Sequence, residues 1–184
     1  MAIRLATQLD IPAMMALETR HYVGNLDASQ LADGFISICH KQEWFDWAVC
    51  SGGVHVAVTD SGDLTGFIAV TDPPTASAAA SSPIIQAMLK LTATLKFNGR
   101  LIAQQRFAFR GPVLIDRAAR GQGLYTAFNT VTGEAYRKRY DLGVLFVAAD
   151  NPRSLHTSTT KLGARSLAIF EADERQYHFA AFEF

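Results

Sequence analysis

One segment limits what this chain can fold into more than any other: an apolar run that passes two closely spaced glycines and enters an amphipathic stretch. Residues 113–128 read VLIDRAARGQGLYTAF. The apolar run predicts a strand, and the spacing of apolar residues after the glycines predicts a helix. Glycine adopts positive φ easily and has no Cβ atom, so Gly121 and Gly123 predict a tight turn whose backbone a ligand can approach.

The start of the predicted helix supplies what an anion needs. Its first amides have no acceptor within the helix, and the positive end of the helix dipole lies at the same place. We expect the ligand to be a phosphate or diphosphate, and the Arg120 guanidinium adds positive charge at the turn. The alternative is a strand–helix connection whose glycines only relieve strain. The segment is not a Walker A loop, since no Gly-Lys-Ser/Thr follows, and it lacks the Gly-x-Gly-x-x-Gly dinucleotide fingerprint.

The rest of the chain alternates strand and helix patterns. Strands are predicted at residues 3–6, 54–59, 64–70, 106–115 (interrupted by Gly111-Pro112), 144–148, 165–170 and 176–184. Helices are predicted at residues 7–18, 31–38, 42–49, 83–97, from the glycine turn to near Tyr140, and at 152–161. Hairpins dominate before residue 106 and alternation follows it, which predicts an α/β (α+β) fold with a mixed sheet covered by helices.

Composition limits the location and the partners. The 184 residues carry 17 basic and 17 acidic side chains, so no overall charge attracts nucleic acid or an anionic membrane. Cys39 and Cys50 are too few for a disulfide framework and lack metal-type spacing. No basic leader with an apolar region starts the chain, and no apolar stretch is long enough to span a bilayer. We therefore expect a soluble, cytoplasmic protein without a metal site.

The length suits one domain over residues 1–184, with an extra loop and helix at about 72–98. The loop, residues 72–82, is small, polar and proline-bearing. The helix that follows it has an apolar face formed by Ile84, Met88, Leu91 and Leu95. That face either covers the sheet or forms a subunit contact, so a homodimer is one prediction.

The glycine turn resembles a known family. Arg120-Gly121-Gln122-Gly123-Leu124-Tyr125 is similar to the Arg/Gln-x-x-Gly-x-Gly/Ala signature of the GNAT superfamily, the GCN5-related N-acetyltransferases. Residues 113–116 resemble the fourth strand of that family. A second block, Asp150-Asn151-Pro152-Arg153-Ser154-Leu155 followed by Lys161-Leu162-Gly163-Ala164, resembles the segment after its fifth strand. Residues 19–51 and 72–104 match least.

The resemblance implies the GNAT fold, with a mixed, mostly antiparallel sheet of about six to seven strands, splayed between strands four and five, and helices on both faces. It implies acetyl-CoA as the cofactor. In the family the strand backbone pairs with pantetheine and the turn amides bind the diphosphate of coenzyme A. The implied cofactor-binding residues are Leu114, Ile115, Arg120, Gly121, Gln122, Gly123, Leu124, Tyr125 and Asn151. Tyr125 stands where the signature has a small residue.

The implied reaction moves an acetyl group to a primary amine, on a small molecule or a protein N-terminus, by direct attack. Many relatives carry a tyrosine or histidine seven residues after the asparagine, as proton donor to the leaving thiolate. That position is Ser158 here, and His156 lies nearby. Both are candidate catalytic residues, and water is a third route for the proton.

The general base stays open. Glu18, Asp33, Glu43 and Glu171 are candidates, each interpreted first as a solvated surface carboxylate, and no geometry can be inferred for His21 or His40. Tyr22, Phe35, Trp44, Phe45 and Trp47 either line an acceptor pocket or pack two short helices on the sheet. Two alternatives to an enzyme remain: a non-catalytic acyl-CoA-binding sensor, and a structural oligomer that binds no cofactor.

Overall fold

The computed structural model describes residues 1–184. Its strands are β1 (Ala2–Leu5), β2 (Val54–Val58), β3 (Leu64–Thr71), β4 (Lys96–Phe97), β5 (Arg100–Leu101), β6 (Phe107–Ile115), β7 (Leu142–Ala148), β8 (Arg165–Ala172) and β9 (Arg175–Glu183). Its helices are α1 (Ile11–His21), α2 (Ala28–Leu31), α3 (Gln42–Cys50), α4 (Ala76–Ala79), α5 (Pro83–Thr94), α6 (Leu124–Tyr136) and α7 (Pro152–Lys161). None of these helices has the length and apolar character needed to cross a bilayer.

Seven strands form one sheet in the order β1-β2-β3-β6-β7-β9-β8, and β4 pairs with β5 separately. The β1–β2, β2–β3, β7–β9 and β8–β9 pairs are antiparallel, whereas β6 and β7 are parallel. The parallel ladder joins residues 107–109 to residues 142–144 and then stops. The printed register between β6 and β7 thus covers only the first three residues of β6.

The chain divides into two compact units. Residues 1–71 and 110–134 form the first, and residues 72–109 and 135–184 form the second. Each unit thus uses two separate stretches of sequence. The organisation as one domain stays a prediction.

In the first unit, helices cover both faces of the strands. β2 is buried throughout, and alternation sends Val54, Val56 and Val58 to one face and Ala57 to the other. The valine face packs against α1 and α3 in a cluster of Ile11, Met14, Leu17, Phe45, Ala48, Phe67, Ala69 and Leu114. The opposite face packs against the start of α6 through Leu124 and Phe128. Gly66 lets β3 approach β6, because a Cβ atom there would lie 2.7 Å from the Leu114 carbonyl oxygen.

In the second unit, α5 packs against one cluster of the core. Met88 of α5 is buried with Phe109, Val144 and Phe179, and Leu91 and Leu95 pack against the same cluster. Ile84 is buried as well. The apolar face of the predicted extra helix therefore packs within the chain. The homodimer stays a prediction.

The predicted helix at residues 31–38 is wrong. α2 ends at Leu31, and Gly34 follows with φ of +88°, which a right-handed helix does not allow. The backbone of Ile36 then pairs with Tyr22 in a parallel bridge. The helix in this region is α2, which begins after Asp27, whose carboxylate accepts from the amides of Ser29 and Gln30.

Other boundaries shift for local reasons. The loop at residues 72–82 contains the short helix α4, and Asn98-Gly99 forms the two-residue turn between β4 and β5, both residues at positive φ. β6 runs unbroken through Gly111-Pro112, which lie beyond its ladder with β7. α6 ends at Tyr136, four residues before the predicted end. The Tyr140 hydroxyl then donates to Asp72 at 2.6 Å.

Candidate functional site

The glycine turn has the open geometry that the sequence predicts. β6 ends at Ile115, a 3-10 turn covers residues 117–119, and the Asp116 carboxylate accepts from the Ala118 amide at 3.1 Å. Gly121 and Gly123 have φ of +79° and +81°. A Cβ atom built on either glycine would meet nothing within 4 Å. The backbone conformation requires glycine, and the space beside it is free.

The amides at the start of α6 are available to a ligand. The first helical bond runs from the Ala127 amide to the Gly123 carbonyl oxygen, at 3.0 Å, so the amides of residues 124–126 have no acceptor in the helix. Glycine at the cap position supplies no side-chain oxygen to occupy them. Residues 121–123 are exposed. Amides without a helical acceptor and the positive end of a 13-residue helix suit an anion.

Arg120 makes hydrogen bonds to two backbone carbonyl groups of the chain. Its Nε donates to the Ile115 carbonyl oxygen at 3.1 Å, and its Nη1 donates to the Asp33 carbonyl oxygen at 2.9 Å. Asp33 also pairs with Arg117 through its carboxylate. Arg120 adds positive charge at the turn, but its donors first shape the turn and fasten it to the segment after α2.

Tyr125 points its side chain at β6. The Arg110 guanidinium lies 5.2 Å from the centre of the Tyr125 ring, and its Nη2 donates to Asn129 Oδ1 at 2.7 Å. Burial lowers the pKa of Arg110. The side chain at the position where the signature has a small residue is thus held by a cation–π contact, and the Tyr125 amide remains in the first turn of the helix.

The other turn and strand residues have structural neighbours. Gln122 is exposed and donates from Nε2 to the Ala118 carbonyl oxygen at 3.2 Å. Leu124 is buried on the α6 side of the strands, where Ile115 packs as well. Leu114 faces the opposite cluster, with α1 and α3. Leu114 and Ile115 both lie beyond Phe109, the last residue of β6 in the ladder with β7.

Asn151 caps α7 in the second unit. Its buried side chain accepts from the Ser154 amide at 3.2 Å, and Pro152 occupies the first helical position. The predicted cofactor-binding asparagine therefore lies between β7 and α7 and is the N-cap residue of α7.

Ser158 and His156 differ in exposure. Ser158 is 5% exposed, whereas His156 is on the surface of α7. The neighbouring hydroxyls are engaged: Thr157 donates to the Arg153 carbonyl oxygen at 2.9 Å, and Thr160 donates to the His156 carbonyl oxygen at 2.7 Å. The chain has no group of three or more metal-type side chains that could hold an ion.

The structure also brings together two residues that the sequence did not connect. The sequence favours a surface carboxylate at Glu18, but its exposure is 0%. Its oxygens accept from the His40 amide at 2.8 Å and face His40 Nδ1 at 2.7 Å. One signal was available: Glu18 follows Ile11 and Met14 at helical spacing, on the buried face of α1. The contact with His40 has no such signal.

His21, at the end of α1, has a structural role. Its Nδ1 lies 3.0 Å from the Leu17 carbonyl oxygen, and burial lowers the pKa of the ring. Arg20, next to it, pairs with Asp116 at 3.0 Å. This ion pair joins the end of α1 to the start of the glycine turn.

The sequence matches no protein-family model and no curated protein. Solved structures are similar to the whole chain. A GNAT-family acetyltransferase from Streptococcus agalactiae has a TM-score of 0.67 at 18% identity, covering 100% of this chain and 95% of that one. The ribosomal-protein-alanine N-acetyltransferase from Brucella melitensis has a TM-score of 0.64 at 15% identity, covering 100% of both. The yncA protein from Salmonella typhimurium, solved with its cofactor acetyl-CoA, has a TM-score of 0.61 at 16% identity, covering 100% and 93%.

The chain has the GNAT fold. The sheet predicted for the GNAT fold is confirmed, with seven strands, mostly antiparallel pairs and helices on both faces. By the resemblance described above, β6 corresponds to the fourth strand of the GNAT family, because it leads into the glycine turn. β7 corresponds to the fifth strand, because it leads into Asn151.

Proposed function

We propose that the protein transfers an acetyl group from acetyl-CoA to a primary amine, either of a small molecule or of a protein N-terminus. The observation that carries the proposal is the open glycine turn at the start of α6, where the first helical amides have no helical acceptor, two glycines have positive φ and no atom lies near a built Cβ. Two further findings support the proposal: the GNAT fold of the chain, and its similarity to the structure of yncA, which was solved with acetyl-CoA.

The residues of the turn fit a diphosphate. Gly121, Gly123 and the amides of residues 124–126 would hold it, and Arg120 would add charge while keeping the turn in shape. The backbone of β6 at Leu114 and Ile115, beyond the ladder with β7, would accept the amide groups of pantetheine. Gln122 lines the exposed side of the turn, and Asn151 is the remaining proposed cofactor residue.

Bound acetyl-CoA supplies an activated thioester carbonyl. Transfer forms one C–N bond and breaks one C–S bond; the electron pair of the C–S bond leaves with sulfur, and the amine nitrogen gives up its proton. No covalent enzyme intermediate is needed, so the protein's contribution is to orient the two reactants and to move protons. We assign Ser158 as first candidate for the proton donor to sulfur, because it is the buried hydroxyl of its segment, and His156 as second.

The test has two parts. Titration calorimetry should show acetyl-CoA binding at micromolar concentration, and a thiol reagent should report free coenzyme A when an amine panel, including N-terminal peptides, is supplied. Ser158→Ala should then lower the rate of thiol release without changing the affinity for acetyl-CoA. Binding without any thiol release across the panel would refute the transferase, and no binding at all would point to a structural oligomer.

A second candidate function is a non-catalytic acyl-CoA sensor. It is favoured by one observation, the serine at position 158, which is a weaker acid and shorter than the tyrosine or histidine of the resemblance. This function predicts that acetyl-CoA binds, that thiol never accumulates, and that Ser158→Tyr gains no transfer activity. A gain of activity in that variant would count against the sensor.

A further inference from the structure

A fully buried carboxylate in α1 holds one histidine in a fixed orientation. Glu18 Oε2 accepts from the His40 backbone amide at 2.8 Å, and Glu18 Oε1 lies 2.7 Å from His40 Nδ1. The Glu18 side chain is 0% exposed, whereas the His40 side chain is 16% exposed. A buried carboxylate is costly unless it is hydrogen-bonded, and both oxygens of Glu18 are engaged by the same residue.

This arrangement determines which ring nitrogen can act. An ionised carboxylate only accepts hydrogen bonds, so a neutral ring that faces it carries its proton on Nδ1 and its lone pair on Nε2. Nε2 makes no hydrogen bond and is not buried. The ring also stacks on Trp44, with centroids 3.8 Å apart, and meets the edge of Phe45 at 6.2 Å. The contacts with Glu18, Trp44 and Phe45 therefore hold the ring in one orientation, with Nε2 as the nitrogen that is left without a partner.

The same segment contacts the glycine turn. The Asp33 carbonyl oxygen accepts from Arg120, and the Asp33 carboxylate pairs with Arg117. Three residues later, the Ile36 amide donates to the His21 carbonyl oxygen at 2.9 Å. The segment from Asp33 to His40 is thus fastened at one end to the turn and at the other to Glu18, within one compact unit.

We propose that His40 is the general base that takes the proton from the acceptor ammonium, and that Glu18 is its positioning residue. The proposal rests on the proposed transferase function. The proton moves from the ammonium nitrogen to His40 Nε2, and the electron pair of the broken N–H bond becomes the lone pair that attacks the thioester carbonyl. The imidazolium that forms is stabilised by the Glu18 carboxylate and returns its proton to solvent.

His40→Asn is the informative variant, since its side-chain amide can still donate to Glu18 while it has no basic nitrogen. We expect the rate of thiol release with the best amine to fall by about 100-fold or more, with unchanged affinity for acetyl-CoA and a similar melting temperature. His178→Asn, which removes a histidine bonded to Ser166 in the other unit, is the matched control and should keep the wild-type rate. Should His40→Asn unfold, His40→Gln replaces it.

Glu18→Gln tests the positioning role through a readout other than rate. Nitrogen NMR of the wild-type protein should show His40 with its proton on Nδ1, and Glu18→Gln should lose that single tautomer together with activity. A wild-type proton on Nε2 overturns the assignment whatever the activity. If the wild-type enzyme transfers acetyl groups and His40→Asn does so equally fast, the base role alone is wrong. If the wild-type enzyme releases no thiol with any amine, the transferase function fails and the base role fails with it.

Discussion

Replacing Gly123 by alanine separates the role of this glycine in ligand binding from its role in folding. The residue has φ of +81°, which costs a residue with a Cβ atom about 1–2 kcal/mol, and the new methyl group meets nothing within 4 Å. The folded protein therefore suffers only the backbone cost. At this chain length, each kcal/mol lowers the melting temperature by about 2–4 °C, so we expect a loss of about 2–8 °C.

The effect on the ligand should be larger than the effect on the fold. A methyl group at the mouth of the turn keeps the diphosphate away from the amides that follow Gly123. A hydrogen bond to a charged group contributes about 1.5–3 kcal/mol, so the loss of one weakens coenzyme A binding by roughly 10-fold to 100-fold. Calorimetry measures this directly. In a melting experiment at 100 times the dissociation constant, the wild-type protein should gain about 2.7 kcal/mol, and Gly123→Ala at the same ligand concentration should gain much less.

Gly99 provides the matched control. It also has φ of +81° and open space around its built Cβ, but it lies in the turn between β4 and β5. Gly99→Ala should lose similar stability and keep the wild-type affinity. Unchanged affinity in a folded Gly123→Ala protein would refute the diphosphate assignment, and an equal loss in Gly99→Ala would show that the affinity only follows stability.

Three further predictions concern stability. Arg4, at 2.8 Å, lowers the pKa of Asp10 to about 2, so this carboxylate contributes about 2 kcal/mol above its unfolded pKa and loses most of that contribution as the pH falls from about 5 to 2. Urea unfolding of Asp10→Asn should show the loss at pH 7 and only a small part of it at pH 2. Gly143→Ala should lower the free energy of unfolding by about 1–3 kcal/mol, because the added Cβ overlaps the Phe182 ring, and an unchanged urea midpoint would contradict this. Gly133→Ala, in α6 with open space around it, should instead gain about 0.5–1 kcal/mol in the same assay.

Elements with strong local signals were predictable. Ser82 and Pro83 form a cap and first turn, and α5 begins there; Pro152 does the same for α7. Local sequence signals gave wrong secondary structure where a backbone conformation or a contact with a distant residue determines the structure. Gly34 at positive φ excludes the helix predicted over it, and Asn98-Gly99, taken only as a helix stop, is a hairpin turn.

The sequence by itself determined the glycine turn, because the conformation at Gly121 and Gly123 is a property of glycine and its immediate neighbours. Only the tertiary structure decided what Arg120 bonds to and that Glu18 is buried against His40, 22 positions along the chain. Such contacts depend on which surfaces pack together. Local preferences carry no information about a partner that folding brings from far along the chain, and the chemistry proposed for His40 depends on one such partner.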